Sequence, residues 1–391
     1  MRVVRLITRL NRGGPLRQLE ALVPGLAREG CHGPVWTGEP ADGEQDASGD
    51  LARHGVGIER VPGLTRGIDL TRDARAWRWI RRRLVALRPD VVHTHLGKAG
   101  ALGRSAARAA GVPVIVHTLH GHHLDAPGPL ALATRPAERG LGTLTDAVIV
   151  LSEGQRRDLV DRHRVLDPSR VAVIGPGFDV ARLVERGRQR SDDVEALRRR
   201  LSPDGRPTFL WMGRFVPMKA PLALIEAARF ASQDAFRLVL AGEGPLLSRC
   251  RARALACGLA DRVRFVGEVE DPALHVLATD GVVLSSVSEG TPMALLEAMA
   301  LGRPVVSFAV GGVPDVVAPE TTGLLVPPGN TVALGYAMAR LASDEGLRAR
   351  LGAEGARRAP LEFGPERLVT ATVALYRRLR EVQRAAPARV A

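Results

Sequence analysis

The hydrophobic pattern of the chain consists of short apolar runs that alternate with longer stretches repeating at helical spacing. Such runs are typical of buried parallel strands joined by helices. In the first half, strands are predicted at 3–7, 58–61, 114–118, 147–151 and 171–174, and a further strand is predicted to start within 89–93. In the second half, strands are predicted at 208–212, 238–241, 263–266, 304–308 and near 324–326, and a further strand is predicted to end at 284–286. The pattern therefore predicts an α/β fold built from two βα alternations.

The length of 391 residues exceeds what one hydrophobic core usually organises, so two domains are expected. Between the two alternations the chain is charged and ends in Pro203-Asp204-Gly205, which predicts a connection between domains. The predicted parts are an N-terminal domain 1–177, a connection 178–205, a C-terminal domain 206–364 and a final helical segment 365–391.

The densest chemistry of the second half lies at 284–315, LSSVSEGTPMALLEAMALGRPVVSFAVGGVPD. We predict a turn and then a helix from about Met293 to residue 300, because Pro292 fits the first turn of a helix and would disrupt its interior. This assignment puts Glu289 in the turn and Glu297 on the helix.

The start of that helix is a candidate anion site. The N–H groups of its first turn, those of Met293 and Ala294 among them, lack partners inside the helix and can bind a diphosphate. Glu289 and Glu297 can then accept hydrogen bonds from hydroxyls on either side, which is the layout of a nucleotide-sugar. Taken alone, the two carboxylates would be better explained as solvated groups, but the surrounding motifs favour a site.

Charge and composition change this picture little. A net charge of +13 and a pI near 11.1 raise nucleic acid or an anionic membrane as partners, whereas only 4% aromatic residues argue against base stacking. All basic residues except Lys98 and Lys219 are arginine, a bias that resembles genome composition. The cysteines Cys31, Cys250 and Cys257 lack metal-type spacing, and we expect reduced thiols in a cytoplasmic protein.

No membrane span or signal peptide is expected, because no run of about 18 apolar residues exists and arginines interrupt the N-terminal apolar stretch. The predicted helix 70–88 has an apolar face that carries Trp77, and Trp79 falls on the opposite side among arginines. Trp79 among arginines suits an anionic membrane surface, which would place the protein at the inner face of the membrane. The alternative is an ordinary surface helix with one tryptophan covered by loops.

Glycines and histidines end several predicted strands of the first half. Gly13 and Gly14 lie between the first strand and a helix predicted at about 16–28, and the acidic, glycine-rich segment 39–49 is predicted to be a loop. The histidines between 93 and 123 follow two neighbouring strands, without a fixed zinc-ligand spacing, so no metal is expected there.

The Glu289-x7-Glu297 spacing, followed by EAMALGRPVV and the Gly-Gly-Val-Pro-Asp turn, resembles the donor-site signature of the retaining glycosyltransferases of family 4. The resemblance implies the GT-B fold, two Rossmann-like domains that face each other across a cleft, with a last helix that returns to the N-terminal domain. HTHLGKAGALGR together with VHTLHGHH resembles bacterial members that modify lipid-linked or cell-envelope glycans.

The same resemblance implies roles for individual residues. Arg214 and Lys219 would hold the diphosphate, Glu297 the ribose, and Glu289 the hexose. His120 would contact the donor sugar. The remaining donor-site residues that it implies are Gly13, Gly14, Val266, Gly267, Gly290, Thr291, Met293 and Ala294. Two positions depart from the family pattern: Ala220 replaces a glycine, and the turn 175–179 lacks the usual asparagine.

The expected reaction is transfer of a hexose or N-acetylhexosamine from a nucleoside diphosphate, with UDP favoured, to a glycan, lipid-linked sugar or small molecule, with retention. No DxD motif is present, and Arg214, Lys219 and the helix terminus can compensate the leaving charge, so neither metal nor cofactor is expected. No carboxylate is expected at the anomeric carbon, which favours a same-face displacement. The alternatives are a UDP-GlcNAc 2-epimerase-like GT-B enzyme and, remotely, a basic nucleic-acid-binding protein.

Overall fold

The structure is a computed structural model that describes residues 1–11, 13–40, 46–121, 124, 129–232 and 235–385; of residues 129–133 it describes the backbone only. The chain divides into two compact units. The first unit comprises Met1–Asp179 and Gly364–Ala391, and the second unit comprises Val180–Phe363.

The described part of the first unit contains one parallel sheet of seven strands in the order β3-β2-β1-β4-β5-β6-β7. The strands are β1 Val3–Ile7, β2 Val35–Thr37, β3 Ile58–Arg60, β4 Val91–His95, β5 Val114–Leu119, β6 Ala147–Val150 and β7 Val171–Val173. β1 pairs with both β2 and β4, so the direction of strand addition reverses between β1 and β4. Ligands of doubly wound folds bind at the carboxyl ends of strands at such a switch point.

The described part of the second unit contains a parallel sheet of six strands in the order β10-β9-β8-β11-β12-β13. The strands are β8 Thr208–Met212, β9 Arg237–Ala241, β10 Val263–Gly267, β11 Gly281–Leu284, β12 Val305–Phe308 and β13 Gly323–Val326. Its switch point lies between β8 and β11, which pair in register through Phe209 with Gly281.

Helices cover both sheets. They are α1 Gly14–Arg28, α2 Ser48–Ala52, α3 Leu70–Leu87, α4 Gly97–Ala109, α5 Pro129–Thr143, α6 Glu153–Arg157, α7 Val180–Arg188, α8 Ser191–Leu201, α9 Pro221–Ala228, α10 Leu247–Ala256, α11 Pro272–Leu277, α12 Met293–Ala300, α13 Val313–Val316, α14 Thr331–Ser343, α15 Glu345–Phe363 and α16 Pro365–Ala385. No described helix is both long and apolar enough to span a membrane.

The core of the first unit includes its last helix. Leu368, Val373 and Tyr376 of α16 are buried against the sheet together with Leu22 and Leu26 of α1. The prediction of two α/β layers is therefore confirmed, and the segment after residue 364 completes the first of them.

Of the predicted connection 178–205, residues 180–205 fall within the second unit and are largely helical. Most of it forms α7 and α8, whose Leu183, Leu197 and Leu201 are buried. Few residues of these two helices are apolar, so the sequence pattern predicted a charged linker. Those few positions are nevertheless enough for a helix to pack on a neighbouring layer.

The sequence left open whether Trp79 faces outward or is covered, and in the structure it is half-buried. Its ring lies 5.1 Å from that of Trp36 in a T-shaped contact, and Trp77 donates from its indole N–H to the Ser105 hydroxyl of α4, 3.1 Å away. α3 is therefore covered on two sides, by α4 and by the large side chain of strand β2, a strand absent from the prediction. The segment 39–49 also differs from a simple loop, because α2 begins at Ser48; residues 41–45 lie outside the described residues.

Candidate functional site

The loops that follow β8 and β11 bring the predicted basic and acidic residues together at the switch point of the second unit. The Lys219 ammonium lies 2.5 Å from Oε1 of Glu289, and the Ser286 hydroxyl donates to the same oxygen at 2.6 Å. The side chain of Glu289 is only 9% exposed and that of Lys219 is 31% exposed. Ser286, which the sequence analysis missed, thus helps to fix the carboxylate.

The Glu289 backbone is held by the turn after β12. Gly312 donates its N–H to the Glu289 carbonyl at 3.0 Å, and a Cβ added to Gly311 would lie 1.9 Å from that same carbonyl oxygen. Gly311 also has a φ of 51°, which favours glycine. The Gly-Gly-Val-Pro-Asp motif therefore acts as a support for the Glu289 turn.

The Lys219 backbone is fastened to the β11 loop. The Ser285 hydroxyl donates to the Lys219 carbonyl at 3.0 Å, and Val287 donates its N–H to the Met218 carbonyl at 2.9 Å. Ala220 has the left-handed conformation, φ 42° and ψ 50°, that a glycine would adopt without strain. The chain thus holds a residue with a methyl group in a conformation that favours glycine.

The loop around Arg214 is built by a close approach of backbones. Gly242, with a φ of 131°, lies so near Gly213 that an added Cβ would be 2.1 Å from the Gly213 carbonyl oxygen. Phe215 donates its N–H to the Glu243 carbonyl at 2.8 Å, which holds the loop from the other end. The Arg214 side chain is exposed and has no ion pair with any other described residue, so its guanidinium is available to an anion.

Helix α12 begins at Met293 as predicted, with Pro292 in the capping position and no side-chain cap. Gly290, Thr291, Met293 and Ala294 are half-buried around this start, as is Glu297 one turn further. The first N–H groups of a helix have no carbonyl acceptor inside that helix. Those at the start of α12 are therefore suited to bind an anionic ligand.

Val266 and Gly267 lie at the end of β10, two strands away from β8. Gly242 donates its N–H to the Gly267 carbonyl at 2.7 Å, so the β9 and β10 ends are tied together. Gly13 and Gly14, at the start of α1, belong to the first unit, as does His120. Arg12, His122 and His123 lie outside the described residues.

The carboxyl edge of the first sheet carries a buried histidine network. His120 Nε2 lies 3.1 Å from His95 Nδ1, and the His95 ring stacks on that of His93 with centroids 4.3 Å apart. His93 in turn contacts the Tyr376 hydroxyl at 2.6 Å and the Thr118 hydroxyl at 2.7 Å. The sequence contained these histidines, but Tyr376, 283 positions away from His93, gave no signal.

Burial keeps these imidazoles neutral. It lowers the pKa of His93 to about 3 and that of His120 to about 4, and the Arg5 guanidinium adds to the effect at His93. The pKa values of His95 and His117 are also lowered, first by burial. A neutral His120 can donate or accept a hydrogen bond but cannot supply positive charge. Within the described chain, no group of three or more His, Cys, Asp or Glu side chains is arranged to hold a metal ion.

Comparison with known proteins matches both units to glycosyltransferases. Residues 12–182 match the family described as "Glycosyltransferase Family 4", and residues 193–358 match "Glycosyl transferases group 1". The D-inositol 3-phosphate glycosyltransferase of Salinispora arenicola is 33% identical over 308 residues, which cover 73% of this chain and 68% of that protein.

Two further comparisons extend the match. The Escherichia coli UDP-Gal:alpha-D-GlcNAc-diphosphoundecaprenol alpha-1,3-galactosyltransferase is 29% identical over 73% of this chain and 75% of its own length. The crystal structure of Anabaena HepE in complex with UDP superposes with a TM-score of 0.79 at 20% identity, covering 97% of this chain and all of the other. The latter likeness concerns the fold, two α/β units of the GT-B class.

Proposed function

The chain belongs to glycosyltransferase family 4, and from this premise we propose that it transfers a sugar from a nucleoside diphosphate to an acceptor with retention of anomeric configuration. The observation that carries the proposal is the contact of Lys219 with Glu289 at the switch point of the second sheet. A cation for a diphosphate and a carboxylate for hydroxyls stand side by side there, at the edge where parallel sheets bind their ligands.

The proposed donor is a UDP-sugar. Lys219, the exposed Arg214 and the N–H groups at the start of α12 are proposed to bind its diphosphate, since each offers positive charge or donors. Glu289 is proposed to accept hydrogen bonds from the hexose and Glu297 from the ribose. His120 is proposed to act as a neutral hydrogen-bonding partner of the donor sugar.

The reaction is proposed to need no metal ion, because these groups can stabilise the departing diphosphate by themselves. The acceptor hydroxyl attacks the anomeric carbon on the face that the phosphate leaves, and the leaving phosphate oxygen takes the hydroxyl proton. The new glycosidic bond therefore keeps the configuration of the broken one.

The test is a screen of nucleoside diphosphate sugars for nucleotide release, with acceptor sugars and in excess EDTA. We expect release with a UDP-hexose or UDP-N-acetylhexosamine, and a product whose anomeric proton coupling matches that of the donor. Activity lost in EDTA and restored by a divalent ion would refute the metal-free mechanism. Conversion of the donor sugar without any acceptor would indicate an epimerase instead.

The proposed acceptor is a lipid-linked sugar, as the name of the Escherichia coli relative states for that enzyme. An arginine face of the first unit supports contact with an anionic membrane. A surface cavity of about 570 Å³ there is lined by Pro62, Arg75, Arg78, Trp79, Arg82, Arg83 and Ala86. Exposed arginines in this number attract anionic headgroups over short distances.

Membrane contact is tested by co-sedimentation with vesicles of neutral lipid and with vesicles containing anionic lipid. We expect the triple variant Arg75→Gln, Arg78→Gln and Arg82→Gln to lose binding to anionic vesicles only. A matched triple variant in the second unit, Arg199→Gln, Arg200→Gln and Arg249→Gln, removes the same charge and should keep binding. Equal sedimentation of both variants would reduce α3 to an ordinary surface helix.

A further inference from the structure

The ion pair at the candidate donor site joins two groups that the proposed function assigns to different parts of the donor. Lys219 is assigned to the diphosphate and Glu289 to the hexose, yet the ammonium lies 2.5 Å from the carboxylate. Ser286 donates to the same carboxylate oxygen, Oε1, at 2.6 Å. The carboxylate therefore binds the same cation that a phosphate would need.

The burial of Glu289 makes it costly to remove Lys219 from its carboxylate. Its side chain is 9% exposed, so water can reach the carboxylate only in part. A largely buried carboxylate that loses its cation keeps its desolvation cost without the compensating attraction. A phosphate that takes Lys219 away must therefore overcome the loss at Glu289 as well as its own desolvation.

The two forms of the nucleotide differ in how they meet this cost. A free nucleoside diphosphate offers phosphate oxygens to Lys219 but nothing to Glu289. An intact nucleotide-sugar also brings hexose hydroxyls, which can donate to the carboxylate as the lysine leaves it. Only the intact donor satisfies both partners of the pair.

We propose that Glu289 competes with the donor diphosphate for Lys219, so that the site selects intact nucleotide-sugar over free nucleoside diphosphate. This inference rests on the proposed function. After sugar transfer the nucleotide loses the hydroxyls that compensated Glu289, the carboxylate recovers Lys219, and release of the product is favoured. Glu289 is thus a specificity-determining residue as well as a sugar ligand.

The test is calorimetric titration of the full chain with UDP alone. Glu289→Gln keeps the size of the side chain and an acceptor for Ser286, but it releases the lysine. We expect this variant to bind UDP about 3- to 10-fold more tightly than the wild type, the scale of a partly exposed ion pair. This direction is opposite to that expected when a plain ligand residue is removed, and unchanged or weaker UDP binding would overturn the proposal.

Two controls separate the possible failures. Glu243→Gln removes the same charge from the exposed loop after β9. Lys219 pairs with Glu289 and not with Glu243, so this variant should leave UDP affinity within about twofold. An equal gain in both variants would mean general electrostatics and would also overturn the proposal. Lys219→Ala tests the underlying assignment: if wild type and Lys219→Ala bind UDP equally, the proposed donor site itself is wrong. If Lys219→Ala weakens UDP binding while Glu289→Gln does not strengthen it, only the competition fails.

Discussion

The two units have similar sheets but opposite chemistry at the carboxyl edges of their central strands. In the first unit the edge is built from neutral rings, with His93, His95 and His120 linked by hydrogen bonds or stacking and Tyr376 behind them. In the second unit it is built from full charges, with Lys219 against Glu289 and an exposed Arg214 on the loop after β8.

The difference follows from burial. Imidazoles can be enclosed because they give up their proton, whereas an ammonium cannot be enclosed without a paired anion. Lys219 accordingly keeps about a third of its side chain exposed and has a carboxylate partner. We infer that the first edge positions neutral hydrogen-bonding groups and that the second edge binds charged groups. The following experiments test this difference.

The largest effect is expected at the charged edge. Lys219→Ala removes a preorganised cation from the leaving diphosphate and should lower kcat by about a hundredfold or more, equivalent to about 3 kcal/mol. Lys219→Arg should recover part of the rate, because a guanidinium keeps the charge but not the compact geometry. Steady-state kinetics with the identified donor measures both.

The matched control is the other lysine of the chain, Lys98, which pairs with Asp73 in the first unit at 2.5 Å. Lys98→Ala should leave kcat nearly unchanged while lowering stability. Near-normal kcat and KM in folded Lys219→Ala would mean that Arg214 and the start of α12 carry the leaving group alone.

The neutral edge should respond in stability. His93→Leu leaves the hydroxyls of Tyr376 and Thr118 buried without their partner, which should lower the free energy of unfolding of the first unit by about 2 kcal/mol. Urea unfolding followed by tryptophan fluorescence measures this in a Trp211→Phe background, because the remaining tryptophans all lie in the first unit.

A matched control for this substitution is Tyr376→Phe, which removes one of the two hydrogen bonds and leaves the ring in place. It should cost about half as much. If His93→Leu were neutral, the network would contribute nothing to folding, and the contrast between the two edges would lose its basis.

Acid should weaken the first unit earlier than ordinary carboxylates would. The pKa of His93 is about 3 and that of His120 about 4, whereas an unfolded histidine has a pKa of about 6.5. Between these values the unfolded chain binds protons that the folded unit excludes. Stability is therefore fully present above about pH 6.5 and is lost as the pH falls, by up to about 1.4 kcal/mol per pH unit for each such histidine.

The same fluorescence assay between pH 7.5 and 4.5 measures this slope. His117→Gln removes one neutral buried imidazole and should make the slope shallower. His32 lies exposed on the surface, so His32→Gln serves as the control. A flat profile above pH 5 in the wild type would contradict the neutral network.

The smallest effect concerns the turn that carries Lys219. Ala220→Gly should stabilise the second unit by up to about 1 kcal/mol, because glycine adopts a φ of 42° without the steric cost of a methyl group. The same substitution inside helix α14, Ala339→Gly, should destabilise by about 0.5–1 kcal/mol. Hydrogen exchange of the second unit measures both, and a loss of stability in Ala220→Gly would show that the methyl group makes a favourable contact.

Local patterns predicted most strands and helices. The bounds of β1, β8 and α12 agree with the prediction residue for residue, because apolar runs and the proline before Met293 are local signals. Strand β2, Val35–Thr37, was not predicted, and the helices within 178–205 were missed because their apolar positions are sparse. Whether Trp79 is covered was left open, because helical periodicity identifies the faces of a helix without telling how many of them are covered.

The candidate donor residues could be named from the resemblance of their motifs to those of a known family, but their contacts could not. Nothing in the local sequence indicates that Gly311 lies against the Glu289 carbonyl or that Tyr376 hydrogen-bonds to His93. These partners approach each other only when distant strands and helices pack. The sequence by itself determined which residue types stand at the strand ends. The tertiary structure alone decided which of them share a buried site, because side chains far apart in the chain acquire a common environment only when the sheet forms.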